Sequence, residues 1–201
     1  ELSAEYSPGT PIHLTTRQDI ELHYLRAEDT IKVQEGLGEV GITTYGACGD
    51  FLRNITLAPP CGQCRQQYDL LPLAYAINEH MLEQPFIENL PRKFKISLSG
   101  CEHGLSKPWI NDLGFIATPD GNFRVIAAGS LGAKPGTGIK LYDELAAEEV
   151  IPLVHSTVEL FKRLGERENR RKARLRHLRE KIGDEEFLKL VHEKFNAAKA
   201  S

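Results

Sequence analysis

Lys93 and Lys95 stand two residues apart in "NLPRKFKISLSGC", residues 89–101, and alternate with Phe94 and Ile96. A strand there turns both ammonium groups to one side and both apolar side chains to the other. Two compact positive charges aimed into one space suit a small oxyanion and can pass protons, although lysines on an edge strand also serve simply to block aggregation. "GACGDFLRNIT", residues 46–56, places Cys48 after a predicted strand and Arg53-Asn54 about one turn into a predicted helix. That arrangement fits an anion near a helix N-terminus and fits an ordinary N-cap equally well. In "TTRQDIELH", residues 15–23, a strand would set Arg17, Asp19, Glu21 and His23 on one face and Thr16, Gln18, Ile20 and Leu22 on the other. Two charge signs on one face describe a wet surface more often than a site. Cys61-Gly62-Gln63-Cys64 has the spacing of half a zinc or iron–sulfur site, which Cys48 and Cys101 would bring to four thiolates. The full spacing, C-x12-C-x2-C-x36-C, matches no familiar ligand pattern, and buried or redox-idle thiols compete with a bound metal.

The elements that must carry these residues alternate in type. Residues 11–25 read as a strand, and "EDTIKVQEGLGEVG" as a short helix closed by glycine. "GITTYGAC" reads as a second strand, after which Gly49 and Asp50 would cap a helix over "FLRNITLA" that Pro59 and Pro60 stop. "YDLLPLAYAINEHML" repeats its apolar residues at helical spacing with Pro72 in the first turn. "FKISLSGC", "DLGFIAT" and "FRVIAAGSL" read as strands, the last two joined by the turn Pro119-Asp120-Gly121-Asn122. From Ala146 onward the pattern is helical, broken at Gly165 and Gly183, with Asp184 capping the last helix. The class is therefore mixed α/β or α+β.

Composition narrows the function classes. The chain has 201 residues, 41% hydrophobic and 26% charged, the balance of an ordinary globular protein. No apolar run approaches a membrane span, and the start lacks a basic and apolar leader, so a soluble, cytoplasmic protein is expected. A first residue of Glu1 reads as a processed chain or a fragment. The formal charge of -3 conceals nine Lys or Arg against two Glu between Lys162 and Arg179. Such a run is usually a solvated helix face, with nucleic acid or a polyanionic cofactor as alternatives. Without interleaved aromatics or a zinc-finger, RRM or KH signature, nucleic acid is disfavoured.

Six ordered stretches, "HLTTRQDIELH", "YGACGDFLRNIT", "NLPRKFKISLSGC", "NDLGFIA", "FRVIAAGSLG" and "RENRRKARLRHL", make the chain resemble the sirohaem-dependent nitrite and sulfite reductases. The resemblance runs from about Pro11 to Phe195. It implies a partial ferredoxin-like portion over 1–42, a three-layer α/β sirohaem-binding portion over 43–182, and a C-terminal helix or linker over 183–201. It implies a six-electron reductase with sirohaem and a [4Fe-4S] cluster, a second homologous half or subunit, and a ferredoxin or flavoprotein electron donor.

By the same resemblance Arg53, Lys93 and Lys95 contact the substrate oxyanion. Arg17, Gln18, Arg53, Asn54, Asn111 and Arg124 contact the sirohaem, whose carboxylates offer the basic run a partner. Family members ligate the cluster through C-x5-C and C-x3-C. Here Cys48 and Cys101 match one cysteine of each pair, while Asn54 and Leu105 stand where the others belong. Cluster ligands would then come from another half or chain, unless Cys61 and Cys64 join Cys48 and Cys101. A cofactor-free scaffolding half and a precorrin-3B synthase-like protein are the alternative expectations.

Overall fold

A computed structural model describes residues 1–58, 62, 64 and 67–199. Pro59, Pro60 and Cys61, to which the sequence assigned a helix stop and a metal ligand, lie outside the described residues. The chain divides into a first unit, Glu1–Ala47, and a second, Cys48–Ser201. Among the described residues no helix is long and apolar enough to cross a membrane.

The first unit holds α1 (Leu2–Tyr6), an antiparallel hairpin of β1 (His13–Leu14) and β2 (Ile20–Glu21), and α2 (Thr30–Gly38). One strand was expected over residues 11–25; the chain turns back on itself instead. Thr15 Oγ1 accepts the N–H groups of Arg17 and Asp19 at 3.2 Å each, Asp19 Oδ1 accepts that of Ile20 at 3.0 Å, and Gln18 takes φ 61°. Short polar side chains thus compete with strand pairing and win locally. The predicted charged face of Arg17, Asp19, Glu21 and His23 is dissolved, because Arg17 and Gln18 sit at the hairpin tip. The strand expected over "GITTYGAC" is also not formed. Gly41 and Gly46 adopt φ of 74° and 78°, and the Ile42 N–H closes the end of α2 on the Leu37 carbonyl at 2.9 Å.

The second unit is built on a five-stranded sheet in the order β3 (Leu52–Leu57), β4 (Phe94–Ser99), β5 (Leu113–Ala117), β6 (Phe123–Ala127), β7 (Ile139–Leu145). β3, β4 and β5 run parallel; β6 and β7 return antiparallel. β3 corrects the expected helix over "FLRNITLA". Phe51 and Ile55 satisfy a helical spacing, but pairing along β4 supplies the backbone partners and decides the conformation. β7 went unrecognised, since Lys140, Asp143 and Glu144 dilute its alternation at the sheet edge.

Helices α3 (Leu71–Leu82), α4 (Val150–Leu164), α5 (Leu175–Ile182) and α6 (Asp184–Lys199) share one continuous core with the sheet. Phe94, Ile96 and Leu98 of β4, Leu113 and Phe115 of β5, Phe161 of α4 and Phe187 of α6 are all fully buried there. Each such side chain contributes about 1.5–3 kcal/mol of burial. Residues 184–199, set apart in the sequence reading, pack into this core through Phe187, Val191 and Phe195. Asp184 is the first residue of α6 rather than its cap. The fold is thus a mixed α+β architecture with a helical tail.

The opposite face of the sheet carries Lys95, Ser97 and Ser99 of β4. Segment 100–112 folds across its upper part. Ser99 Oγ lies 2.6 Å from Ser106 Oγ, and Gly114 has no room for a side chain because Pro108 atoms would lie 2.4–2.6 Å from a Cβ.

A candidate anion site

Arg53 and Asn54 form a bulge. Leu52 pairs with Phe94 and Ile55 with Ile96, so both residues oppose the single Lys95. Lys93, two residues earlier on the same side, is half-buried. Burial pushes its ammonium below the ordinary lysine range, and the charges of Arg92, Arg174 and Arg53 push it further, against a smaller pull from Asp50. Four cations and one carboxylate therefore gather at the N-terminal ends of β3 and β4. Because β4 is an interior strand, the aggregation-blocking explanation for its lysines lapses.

Two carboxylates hold this cluster. Asp112 has a fully buried side chain, accepts the Lys95 backbone N–H at 2.8 Å, and takes both Nη2 (2.5 Å) and Nε (3.3 Å) of Arg174. Its own N–H returns to the Lys95 carbonyl at 3.0 Å. Asp50 accepts Arg92 at 2.9 Å and Arg170 as well. Burial alone would raise its carboxyl, but the hydrogen bonds from those two guanidiniums outweigh it and hold it below the usual range. Arg53 Nη2 donates to the Gly49 carbonyl at 2.9 Å. From sequence Asp50 reads only as a helix cap and Arg170 and Arg174 only as members of the basic run, and none of these three, nor Arg92 or Asp112, is named as a site residue. Arg92 neighbours the lysine pair, but a lone aspartate before a strand leaves no spacing signal.

Most members of the basic run find partners within the second unit, while Arg163, Arg167, Arg170, Arg171 and Lys172 remain exposed. Lys162 donates to the Asn89 carbonyl ahead of β4 at 3.1 Å, and Arg167 donates to the same carbonyl through Nη1 at 3.3 Å and Nη2 at 3.2 Å. Arg176, 6% exposed, bonds Ser130 Oγ at 2.9 Å and the Lys134 carbonyl at 2.7 Å, and Arg179 bonds the Thr137 carbonyl at 3.0 Å. These two guanidiniums brace the glycine-rich segment 129–138. Arg163, Arg171 and Lys172 are the members whose side chains make no hydrogen bond or ion pair among the described residues.

Other sequence candidates fall elsewhere. Arg17 and Gln18 belong to the first unit. Asn111 is 3% exposed, and its amide donates to the Lys107 carbonyl at 2.9 Å, so it braces segment 100–112. Arg124 opposes Ile116, which pairs with Ser99, four residues up β4 from Lys95 and so roughly 13 Å along the strand. The cation cluster does not include it. Cys48 is exposed, Cys64 half-buried and Cys101 buried. Among the described residues no trio that includes a cysteine brings its ligand atoms within 4.8 Å.

Residues 48–199 match the family described as the nitrite and sulphite reductase 4Fe-4S domain, and residues 1–40 match its ferredoxin-like half domain. The chain belongs to the sirohaem-dependent nitrite and sulfite reductase family. It is 35% identical to the assimilatory ferredoxin-dependent nitrite reductase of Haloferax mediterranei over 88% of its length, and 33% identical to the ferredoxin–nitrite reductase of Synechococcus elongatus over 98%. It superimposes on the Mycobacterium tuberculosis NirA protein with TM-score 0.86 and 25% identity, over 98% of this chain and 36% of that one. It spans 32% and 40% of the two nitrite reductases, well under half of each relative's length.

The family's two prosthetic groups fare differently against these residues. A polycarboxylate tetrapyrrole suits the charge of this cluster, with Arg53, Lys93 and Lys95 beside the bulge. A four-thiolate cluster does not suit the described cysteines, which are dispersed in position and burial.

Proposed function

We propose that this chain supplies the substrate-side cations of a sirohaem-dependent nitrite or sulfite reductase. The observation that carries the reading is the placing of Arg53, Lys93 and Lys95 at the N-terminal ends of β3 and β4, around a lysine whose proton is loosened by burial and neighbouring charge. Bound sirohaem would supply the iron at which six electrons reach nitrite or sulfite. Arg53 and Lys95 would hold the oxyanion and neutralise charge as it develops. Lys93 would give up a proton from Nζ as substrate oxygens leave as water, a role that its lowered proton affinity favours. Arg174 and Asp112 act behind them, fixing the backbone from which Lys95 projects.

Arg17, Gln18 and Asn54 are assigned to sirohaem contact on the family resemblance. The cluster thiolates would come from a second homologous half or chain, and electrons from a ferredoxin or flavoprotein, in a cytoplasmic enzyme. Lys93→Met and Lys95→Met in the intact reductase test this reading. Turnover should fall about a hundredfold or more, the scale of a lost general acid, while the sirohaem absorption per chain stays unchanged. Loss of sirohaem in step with activity, or no loss of activity, would overturn it.

A further inference from the structure

The hairpin of the first unit gathers three side chains that ligate metals. His13 and Glu21 are direct partners across β1 and β2, and His23, two residues beyond Glu21, returns to the same side. His13 Nδ1 lies 3.0 Å from Glu21 Oε2, His23 Nε2 lies 3.5 Å from that same oxygen, and the two ring nitrogens are 3.3 Å apart. The rings stack with centroids 5.5 Å apart. Among the described residues this is the trio of His, Cys, Asp or Glu whose ligand atoms all fall within 4.8 Å. An imidazole N–H donated to Glu21 Oε2 satisfies part of the arrangement, while both imidazoles converge on that one oxygen and their own nitrogens also face each other. A metal ion resolves all three contacts at once. With bonds of about 2.0–2.1 Å, tetrahedral ligand atoms sit roughly 3.3 Å apart, and the observed separations straddle that value.

We propose that His13, Glu21 and His23 form a three-ligand site for a borderline divalent transition-metal ion of the zinc type. Two imidazoles with one carboxylate favour such an ion over magnesium or calcium, which take oxygen ligands. The side chains are 57%, 50% and 44% exposed, so water reaches the fourth position. The ion ties together two strands of two residues each, a hairpin too short to be stable by pairing alone. It thereby fixes the tip that carries Arg17 and Gln18. The site stands independently of the cation cluster on the second unit.

The test is zinc binding to the intact, tag-free protein after chelator treatment, read by metal analysis at equilibrium dialysis. The native protein should retain one more zinc per chain than a His13→Ala/His23→Ala variant of unchanged circular dichroism. Glu21→Gln should weaken binding by more than the roughly 10–100-fold that loss of a ligand's hydrogen-bond partner costs. Affinity should drop as pH is lowered, since protons compete for imidazole. In crystals soaked with zinc, an anomalous peak should lie between the three side chains. Equal zinc content in the native and doubly substituted proteins, undiminished binding by Glu21→Gln, or an anomalous peak elsewhere would overturn the proposal.

Discussion

In the first unit Ser7 and Val33 are the buried residues, while Leu14, Val40 and Tyr24 are 72%, 70% and 89% exposed. In the second, Phe94, Phe115, Phe161 and Phe187 are all sealed at 0% within one core. Both units carry residues proposed to meet the same cofactor, yet they orient them by different physics. Lys93 and Lys95 take their direction from a strand pinned by apolar burial beneath and by Asp112 beside it. Arg17 and Gln18 take theirs from a turn held by Thr15 and Asp19 hydrogen bonds, each worth only about 1 kcal/mol net. Precision at the anion site is therefore a property of the core, and precision at the hairpin must come from local ties.

Removing Asp112 attacks the first of these devices most directly. Asp112→Ala leaves the Arg174 guanidinium without its carboxylate and the Lys95 N–H without its acceptor, so it should destabilise the second unit by about 3–5 kcal/mol, the cost of breaking a buried ion pair. Urea unfolding followed by near-UV circular dichroism measures it. Asp120→Ala, on the exposed β5–β6 turn, should shift stability by no more than about 0.5 kcal/mol. Equal effects from the two substitutions would deny Asp112 its anchoring role.

Phe161→Ala and Leu14→Ala sharpen the contrast between the units. The first opens a cavity against Phe94, whose ring centroid lies 5.8 Å away, and should cost about 3–5 kcal/mol. The second removes an exposed side chain and should cost about 0.5 kcal/mol or less. Hydrogen exchange should agree: amides of β4 and β5 exchange through global unfolding, those of 1–47 through local opening. Comparable protection in both units would show that the first unit is covered in the intact protein.

Sequence legibility follows the same division. β4, β5, β6, α3 and the C-terminal helices were readable because apolar periodicity and tertiary packing agree there. Lys93 and Lys95 were readable for the same reason: alternation with Phe94 and Ile96 fixes their side of the strand once the strand forms. The hairpin at 15–19 was not, since its Thr15 and Asp19 contacts are local bonds that period-two alternation hides. "FLRNITLA" fits helix and strand alike until β4 pairs with it. Asp112 and Arg174, 62 residues apart, meet only through the fold, so no spacing could announce them. The partners of the basic run were hidden for a related reason: charge counts do not say which carbonyl or carboxylate each cation will find.

The smallest expected effect concerns His155 on α4, which lies 2.9 Å from His80 of α3 between Nδ1 and Nε2 and edge-on to Phe86. Burial pushes His155 below the ordinary histidine range, and the His80 and Lys194 charges add to this while Glu159 opposes it. One imidazole must donate and the other accept, so this bond is lost if both rings are charged. The unfolded chain, with His155 near its usual value of about 6.5, binds a proton more readily than the folded one. Stability therefore rises with pH across the interval between the two values and falls as the solution is acidified below about 6.5. His155→Gln should flatten that acid-side slope while leaving stability near neutral pH little changed, measured by urea midpoints from pH 5 to pH 7.5. An unchanged slope would place the acid sensitivity on other groups, among them His177, which burial also pushes down, and would remove the α3–α4 histidine pair from the account of why the core unit is pH-sensitive.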